Sequence, residues 1–282
     1  MNYADYAVLK ISQNEAVLTV SLNHPPLNLL DSVLMPELKR FVREVAGDTT
    51  ARVIVVESAV PDFFAAHVDA SYTSDPAGFV ALGDQDTGYE GLTPTQHLIA
   101  SIRALPQVTI AKLRGYLRGG GNEFAMASDL RYAADGATWM GQIEARMGII
   151  PGGGGSQLLA RAVGRSRALE ALLTADLYDA RTAELYGWIT RAVPADQLDA
   201  HVASIADRIG SRLPAQIRAA KQAVDPTTAA DQLEGDLRVE LAALGNVYPA
   251  PAEVESRMLA ALADGLQTVE NERRLEAFLD QH

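Results

Sequence analysis

Residues 113–127 read LRGYLRGGGNEFAMA, and the whole predicted fold can be built outward from this stretch. An apolar run at 108–111 precedes it and predicts a buried strand. Gly119, Gly120 and Gly121 then open a segment with the spacing of a helix. Glycines at such a junction leave backbone N–H groups uncovered at the positive end of the helix dipole. The stretch therefore predicts a site for an anion or a polarised carbonyl oxygen, with the carboxylate of Glu123 in the first helical turn.

A second glycine-rich stretch, PGGGGSQ at 151–157, opens another predicted helix. A phosphate-binding P-loop would need Lys and then Ser or Thr after the glycines, and neither stretch has that pair. A dinucleotide fingerprint would need a third glycine where Phe124 stands. One structural alternative stays open, in which the glycines only let a helix pack closely against a strand.

The segments on either side predict strands that alternate with helices, which indicates an α/β fold. Strands are predicted at 7–11, 16–22, 53–56, 108–111, 129–134 and 138–141, the first two as a hairpin, and a helix is predicted from Asp31 or Ser32 to Gly47. Beyond residue 196 the pattern is almost entirely helical, with breaks at Pro214, Pro226 and 249–251. We therefore predict a core at 1–195 and a helical region at 196–282.

Composition excludes several classes of function. The net charge of −12 argues against nucleic acid as the main partner, because phosphate recognition needs a basic surface. No apolar run is long enough to cross a membrane, and the first residues lack the pattern of a signal peptide, so we expect a cytoplasmic protein. The chain has no cysteine, and its five histidines lack metal-binding spacing. We therefore expect no bound metal.

Three blocks of sequence, taken together and in order, resemble the crotonase superfamily of enoyl-CoA hydratases and isomerases. The first is FAAHVD at 64–69, the second is GYLRGGGNEFAMASD at 115–129, and the third joins QIE at 142–144 to PGGGGSQ at 151–157. The likeness covers roughly residues 8–193. It implies a crotonase-like spiral of ββα units with a C-terminal α-helical region that forms a homotrimer, or a hexamer made of two trimers.

The resemblance also implies the chemistry. The substrate would be an acyl-CoA thioester, with coenzyme A as part of the substrate and no tightly bound cofactor. Its carbonyl oxygen would accept hydrogen bonds from the backbone N–H groups of Val68 and Gly120. Ionised Glu123 would deprotonate a water that attacks C3 of a 2-enoyl thioester, and protonated Glu144 would give a proton to C2. Further substrate-binding positions would be Ala66, His67, Asp69, Arg118 and Gly119.

Two residues depart from the family pattern. His67 stands where glycine is usual, and it could support the site from behind, face the acyl group or be an ordinary loop histidine. Arg118 replaces an apolar residue, and it could form an ion pair in the core or contact a polar acyl group. In the C-terminal helices, Lys221 could lie near the CoA phosphates or be a solvated charge.

Other functions stay open at this point. A sister activity on acyl-CoA, such as isomerisation, hydrolysis or decarboxylation, would use the same oxyanion site. A non-catalytic acyl-CoA-binding or assembly protein would result if the segment at His67 and Val68 distorted one of the donors. A glycosidase with paired acids is disfavoured, because aromatic residues make up only 6% of the chain.

Overall fold

The computed structural model describes Tyr3 and residues 5–83, 86–224 and 230–282, with the side chains of 230–233 left aside. The predicted break at Pro226 lies outside the described residues. The strands are β1 Leu9–Asn14, β2 Val17–Leu22, β3 Val53–Ser58, β4 Phe63–Ala65, β5 Val108–Arg118, β6 Leu130–Gly141, β7 Tyr178–Asp179 and β8 Arg191–Pro194. The helices of the first part are α1 Leu34–Ala46, α2 Pro76–Ala81, α3 Pro94–Arg103, α4 Gly120–Met126, α5 Gly155–Val163, α6 Arg165–Thr174 and α7 Ala180–Tyr186. Those that follow are α8 Leu198–Gly210, α9 Pro214–Val224, α10 Ala230–Leu244, α11 Ala252–Ala263, α12 Val269–Glu272 and α13 Leu275–Leu279, and 3₁₀ helices lie at Ala70–Thr73 and Glu144–Met147.

The strands form one sheet in the order β1-β2-β3-β5-β6-β7, with β4 paired to β5 and β8 paired to β6. The β1–β2 pair is the predicted antiparallel hairpin, while β2, β3, β5 and β6 run parallel. Parallel strands need helical crossovers that cover the faces of the sheet, so these strands are rich in apolar residues. The predicted α/β class is confirmed.

Strand β6 corrects one prediction. We predicted two strands, at 129–134 and 138–141, but β6 runs without a break from Leu130 to Gly141. Its pairing with β5 shifts register between Leu113 and Gly115, and Gly136 takes a left-handed φ of 69° there. The Asp135-Gly136 pair is typical of a turn in sequence, but in the structure it lies at an irregularity within β6, which pairs with β5 on both sides of it.

The C-terminal helices pack against the rest of the molecule in several buried clusters. Leu198, Val202 and Ala206 of α8 lie in one buried cluster with Val53 and Val55 of the sheet. Helices α11 and α13 share another cluster with Ala70 and Ile143. The proposed division into 1–195 and 196–282 stays a prediction. Among the helices that the structure describes, none is both long and apolar enough to span a bilayer.

Candidate active site

Two separate loops bring the backbones of Val68 and Gly120 together. Leu30 donates its N–H to the carbonyl of His67 at 2.9 Å and accepts the N–H of Asp69 at 3.2 Å, which fixes the peptide units around Val68. A Cβ atom on Gly120 would lie 2.4 Å from Val68 Cγ2 and 3.4 Å from the Val68 nitrogen. Within the described residues, neither the Val68 N–H nor the Gly120 N–H has a hydrogen-bond acceptor. Two free donors therefore lie side by side at the edge of a cavity.

Glu123 is buried at the bottom of this cavity, with 2% of its surface exposed. Its Oε1 accepts the N–H groups of Gly153 and Gly155 at 2.9 and 2.8 Å, at the start of α5. Its Oε2 accepts no hydrogen bond from the described residues. Burial raises the pKa of Glu123, and the nearby carboxylates of Glu144 and Glu240 raise it further, while the two N–H donors oppose both effects.

Glu144 starts the 3₁₀ helix that follows β6, and it also faces the cavity. A Cβ atom on Gly119 would lie 3.0 Å from Glu144 Oε1, so this carboxyl group sits against the start of α4. Burial raises the pKa of Glu144 to about 7. Its Oε2 is buried and has no hydrogen-bond partner among the residues that the structure describes. The charge of Glu144 therefore disfavours ionisation of Glu123, whereas the two amide donors favour the negative charge on Glu123.

A third buried carboxylate, Glu240 of α10, was not predicted from the sequence. Its Oε1 accepts the N–H of Gly154 at 2.5 Å, and its Oε2 accepts the N–H of Ser156 at 2.8 Å. Burial raises the pKa of Glu240, and the same donors oppose that rise. The N–H groups at the start of α5 are thus shared alternately between Glu123 and Glu240. Nothing in the Ala-, Leu- and Glu-rich sequence of α10 distinguishes this residue from a solvated helix glutamate.

His67 is buried and forms an ion pair behind the Val68 loop. Its Nε2 lies 3.0 Å from Oε1 of Glu272, and its Nδ1 lies 2.7 Å from the carbonyl oxygen of Val68. Burial lowers the pKa of His67, but the Glu272 carboxylate outweighs it, so the net shift is upward. Burial raises the pKa of Glu272, but His67 and Arg118 outweigh it and the net shift is downward. Both shifts favour an imidazolium–carboxylate pair.

Arg118 forms the core ion pair that was one of its two predicted roles. The guanidinium is fully buried, donates to Glu276 through Nε at 2.6 Å and Nη2 at 3.1 Å, and lies 4.5 Å from the centre of the Tyr116 ring. Neither Arg118 nor Ala66 lines the cavity, so the structure does not bring these two predicted substrate-binding residues to it. The other predicted positions, His67, Asp69 and Gly119, do line it.

Asp69 and Lys221 have structural partners. Asp69 accepts the N–H of Ser71 at 2.8 Å and caps the short 3₁₀ helix. Lys221 Nζ donates to the carbonyls of Leu105 and Gln107 at 2.9 and 2.8 Å and lies 2.8 Å from Asp129. Lys221 does not line the cavity and instead joins α9 to the segments that precede β5 and β6. No cluster of three metal-ligating side chains is found in the part of the chain that the structure describes.

The chain is similar to known proteins over most of its length. A family model described as enoyl-CoA hydratase/isomerase matches residues 12–264. The probable enoyl-CoA hydratase echA8 of Mycobacterium tuberculosis is 33% identical, over 82% of this chain and 86% of that protein. The mitochondrial methylglutaconyl-CoA hydratase of Homo sapiens is 31% identical, over 86% of this chain and 70% of that protein.

Solved structures agree with this assignment. A Streptomyces avermitilis protein provisionally named an enoyl-CoA hydratase superposes with a TM-score of 0.90 at 42% identity, and the match covers 98% of each chain. An enoyl-CoA hydratase from Mycobacterium avium subsp. paratuberculosis superposes with a TM-score of 0.76 at 25% identity, over 90% of this chain and 99% of that one. The family model, the relatives and the shared fold lead to one conclusion: the chain belongs to the enoyl-CoA hydratase/isomerase family.

Proposed function

We propose that this protein hydrates a 2-enoyl-CoA thioester to the corresponding 3-hydroxyacyl-CoA. One observation carries the proposal: the N–H groups of Val68 and Gly120, which have no acceptor in the described part of the chain, lie beside a cavity that also contains the buried pair Glu123 and Glu144. Coenzyme A would enter as part of the substrate, and the proposal requires no separate cofactor.

The two N–H groups would bind the thioester oxygen. When water adds to C3, electron density moves through the double bond to that oxygen, which becomes enolate-like. Donors held in place by the fold stabilise this charge more than they stabilise the neutral substrate, and each is worth about 3–4 kcal/mol in comparable oxyanion sites. The hydrogen bonds between Leu30 and the segment around Val68 keep that donor in position before substrate arrives.

The two glutamates would divide the proton transfers. Glu123 would be the charged one, because two amides hold its Oε1; its Oε2, which has no partner among the described residues, would take a proton from the attacking water. Glu144 has a raised pKa and would hold the proton that is delivered to C2. Each positioned proton transfer contributes about 10²–10⁴-fold to the rate.

The test is the loss of the conjugated absorbance when purified protein is mixed with crotonyl-CoA and with longer 2-enoyl-CoA thioesters. Hydration predicts a falling signal and a 3-hydroxyacyl-CoA product. A protein that binds the thioesters but turns none over would contradict the proposal and favour a non-catalytic acyl-CoA-binding role. Conversion of a 3-enoyl-CoA into its 2-enoyl isomer, without hydration, would favour the isomerase branch.

Family resemblance also supports a homotrimer, or a hexamer of two trimers, as the assembly. Analytical ultracentrifugation at micromolar concentration should give a mass that is a multiple of three chains. A monomer under these conditions would contradict this part of the proposal.

A further inference from the structure

The cavity beside the two glutamates is large and mostly apolar. Its volume is about 800 Å³, which is within the range that holds a drug-sized ligand. Aromatic and aliphatic side chains from α2, from the segment after β6, from α10 and from the residues just after α10 form much of its wall. They are Phe79, Val80, Met147, Ile149, Ile150, Leu241, Leu244 and Tyr248. A four-carbon acyl group would leave much of this apolar wall in contact with water.

Among the described residues, carboxyl groups outnumber basic side chains in the cavity wall. Five carboxyl groups line it, those of Asp69, Asp86, Glu90, Glu123 and Glu144, whereas no lysine or arginine among the described residues does so. One of these acids is already paired, since Lys39 is bound to Asp86 at 2.5 Å and to the carbonyl of Leu82 at 2.9 Å.

The two histidines of the wall are also engaged. His67 is paired with Glu272, and His97 Nε2 lies 2.9 Å from the carbonyl oxygen of Thr87. No cationic group in the described cavity wall is therefore available to pair with a carboxylate on a substrate.

The wall is largely apolar, and its carboxyl groups have no free cationic partner among the described residues. We infer from this that the acyl group of the substrate is uncharged, mainly hydrocarbon and longer than four carbons. This inference rests on the proposed function. A hydrocarbon chain gains from every methylene that leaves water, up to about fourfold in affinity per group. A carboxylate on the acyl chain would instead lose its hydration among like charges without a partner, which is strongly unfavourable.

The experiment compares kcat/KM for neutral 2-enoyl-CoA thioesters of four, eight and twelve carbons with that for 3-methylglutaconyl-CoA, which carries a carboxylate. We expect kcat/KM to rise about tenfold or more from four to eight carbons. The carboxylated substrate should be at least about 10²-fold poorer than the neutral eight-carbon one. Equal or better use of the carboxylated or the four-carbon thioester would overturn the inference.

Calorimetric binding of the saturated acyl-CoA analogues separates this inference from the proposed function. An affinity order of octanoyl above butyryl and above 3-methylglutaryl-CoA, together with no turnover of any enoyl thioester, would refute hydration and leave the acyl-group inference supported. The opposite affinity order would refute the acyl-group inference whatever the turnover.

Two variants locate the effect in the wall. Leu244→Arg should lower the affinity for octanoyl-CoA about tenfold, because a cation replaces apolar surface. The ratio of the affinity for octanoyl-CoA to that for 3-methylglutaryl-CoA should also fall, because the cation can pair with the carboxylate. Leu259→Arg is the matched control, since Leu259 is an exposed leucine of α11 outside the cavity wall. Phe79→Ala should reduce the preference for long chains without adding charge. Unchanged selectivity in both wall variants would contradict the assignment of this wall to the acyl group.

Discussion

The two glycine-rich helix starts of this protein look alike in the sequence but have different occupants in the structure. At the start of α4, the Gly120 N–H faces the cavity beside the Val68 N–H, and neither has a protein acceptor among the described residues. At the start of α5, four consecutive N–H groups from residues 153–156 are taken by two carboxylates. One helix start is thus free for a ligand, while the other holds the acid that faces the ligand.

The difference shows what a glycine run can and cannot predict. Glycine is required where a backbone comes close to another group, as at Gly121, where a Cβ atom would lie 1.9 Å from the carbonyl oxygen of Ala65. Which group comes close is decided elsewhere in the chain. Glu240, which fills part of the α5 start, lies 84 residues from Ser156 in sequence.

The largest expected effect is that of Glu123→Gln, which keeps an acceptor for the α5 amides but removes the charge. Turnover should fall by about 10²–10⁴-fold, because the base is lost, while acyl-CoA affinity changes little. Stopped-flow kinetics and equilibrium binding measure the two quantities separately. Glu270→Gln, an exposed glutamate of α12, is the control. Wild-type turnover in E123Q would remove Glu123 from the mechanism.

Gly120→Ala, which places a methyl group at the start of α4, should have the next largest effect on turnover. A methyl group from Gly120→Ala would meet the Val68 side chain at 2.4 Å and push the two donors apart. Loss of one oxyanion donor lowers kcat by about 10²-fold or more. Gly235→Ala on α10 adds the same methyl group where nothing lies within 4 Å, and its kcat should match that of the wild type. Equal rates for G120A and G235A would refute the role of the α4 start.

A smaller effect is expected from Glu240→Gln at the occupied helix start. The negative charge of Glu240 raises the pKa of Glu123 and of Glu144, so its removal should lower both. The profile of kcat/KM against pH should therefore move toward lower pH, with a change in the maximum of less than about tenfold. A profile that does not move would show that Glu240 has no electrostatic influence on the pair.

Breaking the ion pair between His67 and Glu272 should have the smallest effect on turnover. It should have a measurable effect on the stability of the folded protein. Folding raises the pKa of His67 above its unfolded value of about 6.5. The contribution of His67 to the free energy of unfolding is therefore complete below about pH 6.5 and is lost as the pH rises through the pKa of the folded state. Folding lowers the pKa of Glu272 below its unfolded value of about 4.3. The contribution of Glu272 to the free energy of unfolding is therefore present above that pH and is lost as the pH falls through the pKa of the folded state.

The free energy of unfolding should therefore differ most between wild type and Glu272→Gln within that interval, roughly pH 4.5 to 6.5, by about 1–3 kcal/mol. Urea denaturation at a series of pH values measures this difference, with Glu270→Gln as the control. A difference that stays constant across this pH range, or is absent, would contradict the ion pair.

Local pattern predicted much of the fold and the glycine-rich start of α4 that carries Glu123. The β1–β2 hairpin, the end of α1 at Gly47 and the glycine turn before Glu123 all follow from the spacing of apolar residues and from glycine. The continuity of β6 did not, because Asp135 and Gly136 carry a turn signal that pairing with β5 overrides. Glu240 and Glu272 were also missed, since their roles depend on partners far away in sequence and not on the residues beside them.

The ion pairs made by α12 and α13 join the last part of the chain to be synthesised to residues that are synthesised much earlier. Glu272 neutralises His67, and Glu276 neutralises Arg118, although each acid leaves the ribosome long after its base. Until those helices have emerged, Arg118 lacks its anion, and His67 lacks the carboxylate that raises its pKa. The ion pairs of His67 and Arg118 can therefore form only after α12 and α13 have been translated.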